Sequence, residues 1–222
     1  QSRYRILSEA LRMPRILHSV FVAVFAALLV AGCATVKTTQ SGAVGVDRSQ
    51  AMLVSSREVN QSAEKQYAQA IGQARQKELL NRNPAETERV RAIAKRLIPQ
   101  TTVFRPDASG WRWEVNVLTS NQLNAWCMPG GKIAVYSGLI DKLKLSDDEI
   151  AAIMGHEIAH ALREHARERI SQQMATSAVI GIGAAVLGVG PRTSASMSNV
   201  TVCFSRNSAE VSPRRFFRRR MS

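Results

Sequence analysis

The feature that most constrains this sequence is a helix that marks its own start and then places histidines at helical spacing. Ser146 and Glu149 have the separation of a capping box, and they predict a helix from Ser146 to about Ser171. At 3.6 residues per turn, His156 and His160 fall one turn apart on the same side. Ile150, Ile153, Met154 and Ala161 form the apolar stripe; the histidines flank it and Glu157 falls within it. A carboxylate on a buried face is costly unless its charge is compensated. Two imidazoles one turn apart can share a zinc ion at about 2.0–2.1 Å, and a polarised water would compensate Glu157. His156 and His160 are therefore candidate metal ligands and Glu157 a candidate general base. His165 lies five residues past His160, and this spacing predicts a structural side chain pointing away from the metal face.

A catalytic zinc usually has three protein ligands and one open position. A third histidine six residues after His160 would serve, but that position is Ala166. The other option is a downstream carboxylate. After Glu168 the sequence holds a single acidic residue, Glu210, which is the candidate third ligand for one zinc per chain.

The net charge of +13 is concentrated at the ends. The first 32 residues carry four Arg and one Glu, and residues 213–222 carry five Arg and no acid, leaving +5 for the body. No basic helix or aromatic-basic platform appears there, so nucleic acid is not an expected partner. Arg12 and Arg15 precede the apolar run Val20–Val30, the pattern of an export signal starting at Met13 after an upstream extension. The run ends in Val30-Ala31-Gly32-Cys33, which resembles a bacterial lipobox with Cys33 as the acylated residue. Position 34 is Ala, which under the lipoprotein sorting rule favours the outer membrane. The expected location is the cell envelope, facing the periplasm and held to the membrane by a lipid anchor. Cys127 and Cys203 then remain, either as a disulfide or as two buried thiols.

Four segments follow: residues 1–32 as extension and signal peptide, 33–56 as a Ser-, Thr- and Gly-rich tether, 57–210 as the folded domain, and 211–222 as an Arg-rich tail. Residues 57–80 are expected to form a surface helix. Pro84 suits the first position of the next, with Val90, Ile93, Ala94 and Leu97 on its apolar face and Pro99 as its stop. The alternation Trp111–Val117 predicts a strand, and Pro129-Gly130-Gly131 a turn into a second strand, Lys132–Tyr136. Ala175–Gly190 is apolar but short for a membrane span, which favours a buried helix or hairpin. The predicted class is α+β: mostly helical, with a small sheet packed beside the His-Glu helix.

The stretch from Asn124 through Pro129-Gly130-Gly131 to Leu139, followed by Asp147-Asp148-Glu149 and the His-Glu helix, resembles bacterial zinc metallopeptidases related to HtpX and the CAAX prenyl proteases. It is most similar to their periplasmic lipoprotein branch, over roughly residues 57–210. The resemblance implies a zincin-like (gluzincin) fold and endopeptidase action on polypeptides, often misfolded envelope proteins. It also implies that the strand containing Lys132, Ile133, Ala134 and Val135 lies at the cleft, where an extended substrate would pair with it. The family carries S-R-x-x-E-x-x-A-D, with Glu as third ligand. Here Ser205-Arg206-Asn207-Ser208 fits, the ungapped ligand position is Ala209, Glu210 follows one residue late, and Pro213 stands at the Asp position. Residues 211–222 read as a frameshifted or truncated end. Loss of the third ligand would instead leave a protease-like lipoprotein that binds or chaperones envelope proteins without cutting them.

Overall fold

A computed structural model describes residues 35–41 and 48–186, together with Val20 and Val24. The chain divides into two units, residues 1–36 and 37–222. In the first, Val20 and Val24 are helical and exposed, and β1 (Thr35–Val36) is an exposed two-residue strand. Cys33, Cys203, Glu210 and the tail 211–222 lie outside the described residues.

The second unit begins with β2 (Gln50–Ala51) and α1 (Ser56–Gln76). Ser55 and Glu58 form a capping box that starts α1, and Val59, Ala63, Tyr67 and Ile71 recur at helical spacing on its buried face. α2 (Pro84–Leu97) has Asn83 as its cap and Pro84 at the first turn. It ends where Pro99 diverts the chain into a 3-10 turn, Ile98–Gln100. A one-turn helix, α3 (Thr101–Phe104), and a second 3-10 turn, Pro106–Gly110, lead to the sheet.

The sheet has three strands: β3 (Glu114–Leu118), β4 (Ala125–Met128) and β5 (Lys132–Tyr136). Their order is β3-β5-β4. β5 is central, parallel to β3 with Val115 opposite Ile133, and antiparallel to β4 with Cys127 opposite Ile133. The β4–β5 hairpin turns at Pro129-Gly130-Gly131. Gly130 has φ +82°, Gly131 has φ +83°, and the Gly131 amide donates to the Met128 carbonyl at 3.2 Å. Proline followed by a left-handed glycine is the signature of a type II turn.

Both faces of the sheet are covered. Val117, Ile133, Val135, Ala125 and Cys127 pack with α2 (Val90, Ile93) and the His-Glu helix (Ile150, Met154, Ile158). Leu118, Ala134 and Met128 face Tyr67 and Ile71 of α1. A strand buried on two faces needs a continuous apolar run, which explains why Ile133-Ala134-Val135 does not alternate. α4 (Ser137–Leu143) follows, then α5 (Asp147–Leu162) and α6 (His165–Val186). The α+β class and the sheet beside the His-Glu helix are as expected.

Three expectations change. The single helix to Ser171 is two helices, because α5 ends at Leu162 and Glu164 adopts φ +50°. From Thr38 on, described residues of the tether bond to the helices that follow. Thr38 donates to the Arg163 carbonyl at 3.2 Å, Gln50 to the same carbonyl at 2.9 Å, and the Leu53 amide to Ser171 at 2.8 Å. Within Ala175–Gly190, residues 175–181 are exposed and helical, not buried. No helix among the described residues is long and apolar enough to cross a membrane.

Candidate active site

The capping box that opens α5 is complete. Ser146 caps the Glu149 amide, while Glu149 reaches back to the Ser146 amide at 2.9 Å. Asp147, Asp148 and Glu149 place negative charge at the positive end of the helix. Ile150, Met154, Ile158, Ala161 and Leu162 anchor its inner face, so the rotation of the helix about its axis is set by core packing.

That rotation brings the two histidines together. Their rings meet edge to face at 4.6 Å, and Nε2 of His156 lies 3.0 Å from Nε2 of His160. His156 is exposed and His160 half-buried. Burial is the main cause lowering the His160 pKa to about 4, with His165, His156 and Arg169 acting in the same direction. The imidazole is therefore neutral at physiological pH, the form that binds metal. Glu157 is partly buried, and its carboxyl is pushed up to about 7 by that burial. It faces β4, where its charge adds to the burial that raises the Cys127 thiol well above its ordinary range.

His165 does not point away. Its Nδ1 is 2.6 Å from Nδ1 of His160, with ring centroids 4.8 Å apart. The break between α5 and α6, with Glu164 at φ +50°, replaces the angular offset of an uninterrupted helix. Spacing alone missed this contact because nothing in Ala161-Leu162-Arg163-Glu164-His165-Ala166 marks a helix end.

The expected substrate strand also changes. β5 is hydrogen-bonded on both sides, and Ile133, Ala134 and Val135 are buried, so no edge is free for an incoming chain. Lys132 is buried as well, donating to Glu114 and to the Arg112 carbonyl, each at 2.6 Å. Among the described residues, the strand beneath α5 with one unpaired side is β4. The Tyr136 amide donates to the Asn124 carbonyl at 3.0 Å, which makes that pair hydrogen-bonded. Alternation then turns the main-chain groups of Ala125 and Cys127 outward.

The sequence profile of peptidase family M48 matches residues 84–220. The chain belongs to peptidase family M48. It is 43% identical over 65 residues to the mitochondrial metalloendopeptidase OMA1 of Arabidopsis thaliana, covering 29% of this chain and 13% of that protein. It is 31% identical over 106 residues to the metalloprotease LoiP of Escherichia coli, covering 48% of this chain and 40% of LoiP. Identity to the Escherichia coli metalloprotease YcaL is 28% over 136 residues, covering 58% of this chain and 53% of YcaL. The chain thus spans at most about half the length of these relatives. No solved structure matches it.

M48 peptidases in general use zinc, and the two histidines fit it. Two nitrogens bound tetrahedrally to one zinc at the usual bond length lie about 3.3 Å apart. The 3.0 Å between the Nε2 atoms approaches that value. The outer nitrogen of His160 already has a partner in His165, the arrangement expected of a ligating imidazole. Among the described residues no third His, Cys, Asp or Glu joins them in a metal-binding group.

Proposed function

We propose that this M48 chain is a zinc-dependent metalloendopeptidase of the bacterial cell envelope. The observation that carries this reading is the convergence of the His156 and His160 Nε2 atoms on one helix, with the desolvated Glu157 carboxyl between them in sequence. When bound, zinc supplies Lewis-acid polarisation of the scissile carbonyl and of the attacking water. His156 and His160 present neutral nitrogens. Glu157, with a pKa raised toward neutrality, is suited to take the water's proton and deliver it to the leaving amine. Glu210 is the proposed third ligand. An extended substrate pairs with the outward main-chain groups of Ala125 and Cys127 on β4 and so lies along α5.

The lipobox-like Val30-Ala31-Gly32-Cys33 supports an acyl anchor at Cys33 and placement on the periplasmic side, with Ala34 favouring the outer membrane. Misfolded envelope polypeptides are the proposed substrates. A second reading, a lipoprotein that binds such polypeptides without cutting them, is favoured by Ala209 at the ungapped third-ligand position.

Zinc analysis of the purified chain, paired with casein cleavage with and without a chelator, separates the two. The peptidase reading expects about one zinc per chain and chelator-sensitive cleavage. Glu157→Gln should keep the metal and lose roughly 10²–10⁴-fold in rate. Full activity in that variant would refute the assignment of Glu157.

A further inference from the structure

The segment that follows Cys33 makes contacts that a tether does not need. Gln50 is 4% exposed, and every polar atom of its side chain has a partner. Its Oε1 accepts from the Thr38 hydroxyl at 2.8 Å. Its amide nitrogen donates to the Arg163 carbonyl at 2.9 Å and to Oε2 of Glu168 at 2.7 Å. Thr38 also donates to the Arg163 carbonyl, and Arg48 pairs with the other oxygen of Glu168. Further along, Ser56 donates to Glu164 at 2.9 Å, and Arg167 donates to the Val54 carbonyl at 2.7 Å.

All these bonds converge on one place, the elbow between α5 and α6. There Glu164 takes φ +50°, a backbone conformation unfavourable for a residue with a side chain. Glutamate does not choose this conformation by itself, so it persists because its surroundings impose it. The elbow separates His160, on the last turn of α5, from His165, the first residue of α6. In an uninterrupted helix, residues five apart point about 140° away from each other. Here their Nδ1 atoms are 2.6 Å apart. The contact on the outer nitrogen of His160 thus exists only while the elbow is held.

We propose that Thr38 and residues 48–56, centred on Gln50, form a clamp that holds the α5–α6 elbow and thereby positions His165 on the outer nitrogen of His160. Gln50 and His165 are positioning residues: neither touches substrate, and each acts through His160. His160 offers Nε2 toward His156, so its proton belongs on Nδ1, where His165 accepts it and fixes both tautomer and ring orientation. Residues of the expected tether are in this way part of the support of the metal site. This inference rests on the reading of His156 and His160 as zinc ligands.

The test measures zinc affinity of the full chain by competition with a chromophoric chelator, alongside thermal melting of the metal-free protein. His165→Phe keeps ring bulk and removes the acceptor, and should weaken zinc binding about 10–100-fold while the metal-free chain stays folded. His165→Asn restores an acceptor near the Nδ1 position and should recover affinity to within about threefold. Gln50→Ala should weaken zinc binding about threefold or more, and the milder Thr38→Val should act in the same direction if Gln50→Ala does not fold. Because the clamp acts through His165, Gln50→Ala or Thr38→Val should add nothing in the His165→Phe background. Unchanged affinity in His165→Phe, no effect of either clamp variant, or an equal loss with and without His165 would each overturn the proposal. Absence of zinc from the unaltered chain would overturn the ligand reading and this inference with it. Normal zinc binding in the unaltered chain and His165→Phe alike would overturn this inference alone.

Discussion

At the scale of single residues, the site is a set of groups whose chemistry is set by how much water they have lost. His160 is held neutral mainly by burial, so it is ready to bind metal without first releasing a proton. Replacing it with Ala should remove bound zinc and peptidase activity together, which metal analysis and casein cleavage would register. Cys127 shows the same physics with the opposite chemical outcome. It is buried beside Glu157, and both burial and that neighbouring charge oppose formation of the thiolate. In the native protein Cys127 should resist alkylation by a maleimide and should react only after denaturation, as peptide-resolved mass spectrometry would show. The motif residues were legible because helical spacing within one element needs no knowledge of the rest of the chain. His165 was not, because its contact depends on a break in the chain that no local signal announces.

The elements owe their positions to two devices, one of them written in the sequence. The Pro129-Gly130-Gly131 turn is readable as punctuation, and it places β4 beside β5. A Cβ added to Gly131 would sit 2.7 Å from the Trp113 ring, at a φ of +83° that disfavours any side chain. Gly131→Ala should therefore cost about 1–3 kcal/mol in denaturant unfolding. The α5–α6 elbow is the unwritten device. Burial pushes the Glu164 pKa upward, but Arg167, Arg105 and Ser56 outweigh it and hold the carboxyl below its ordinary value of 4.5. A depressed folded-state pKa contributes stability that is complete above 4.5 and is lost as pH falls through the lower folded value. Melting temperature should fall across that acidic window, and Glu164→Gln should start lower at neutral pH and show a shallower acid dependence.

At the scale of the whole second unit, a sheet buried on both faces contrasts with α6, which is exposed over residues 172–181. β5 is paired on two sides and enclosed by α1, α2 and α5. Its amides should exchange hydrogen only through global unfolding, while those from Met174 to Ile180, on an exposed helix, should exchange early in the same experiment. This enclosure also explains why strand addition at Lys132–Val135 was a natural but incorrect expectation. A continuous apolar strand beside the His-Glu helix can be an edge or a centre, and only pairing decides which.

The sequence by itself determined the His-Glu helix with its cap, the hairpin turn, the α+β class and the membership of a metallopeptidase family, because each is encoded in residues close together along the chain. The tertiary structure alone decided that β5 is central and β4 the edge, that α5 stops at Leu162, that His165 meets His160, and that Thr38 and Gln50 bond to the Arg163 carbonyl. The physical reason is common to all four. Each depends on hydrogen bonds between main-chain or side-chain groups far apart in sequence, and such pairings leave no periodicity or local composition to read.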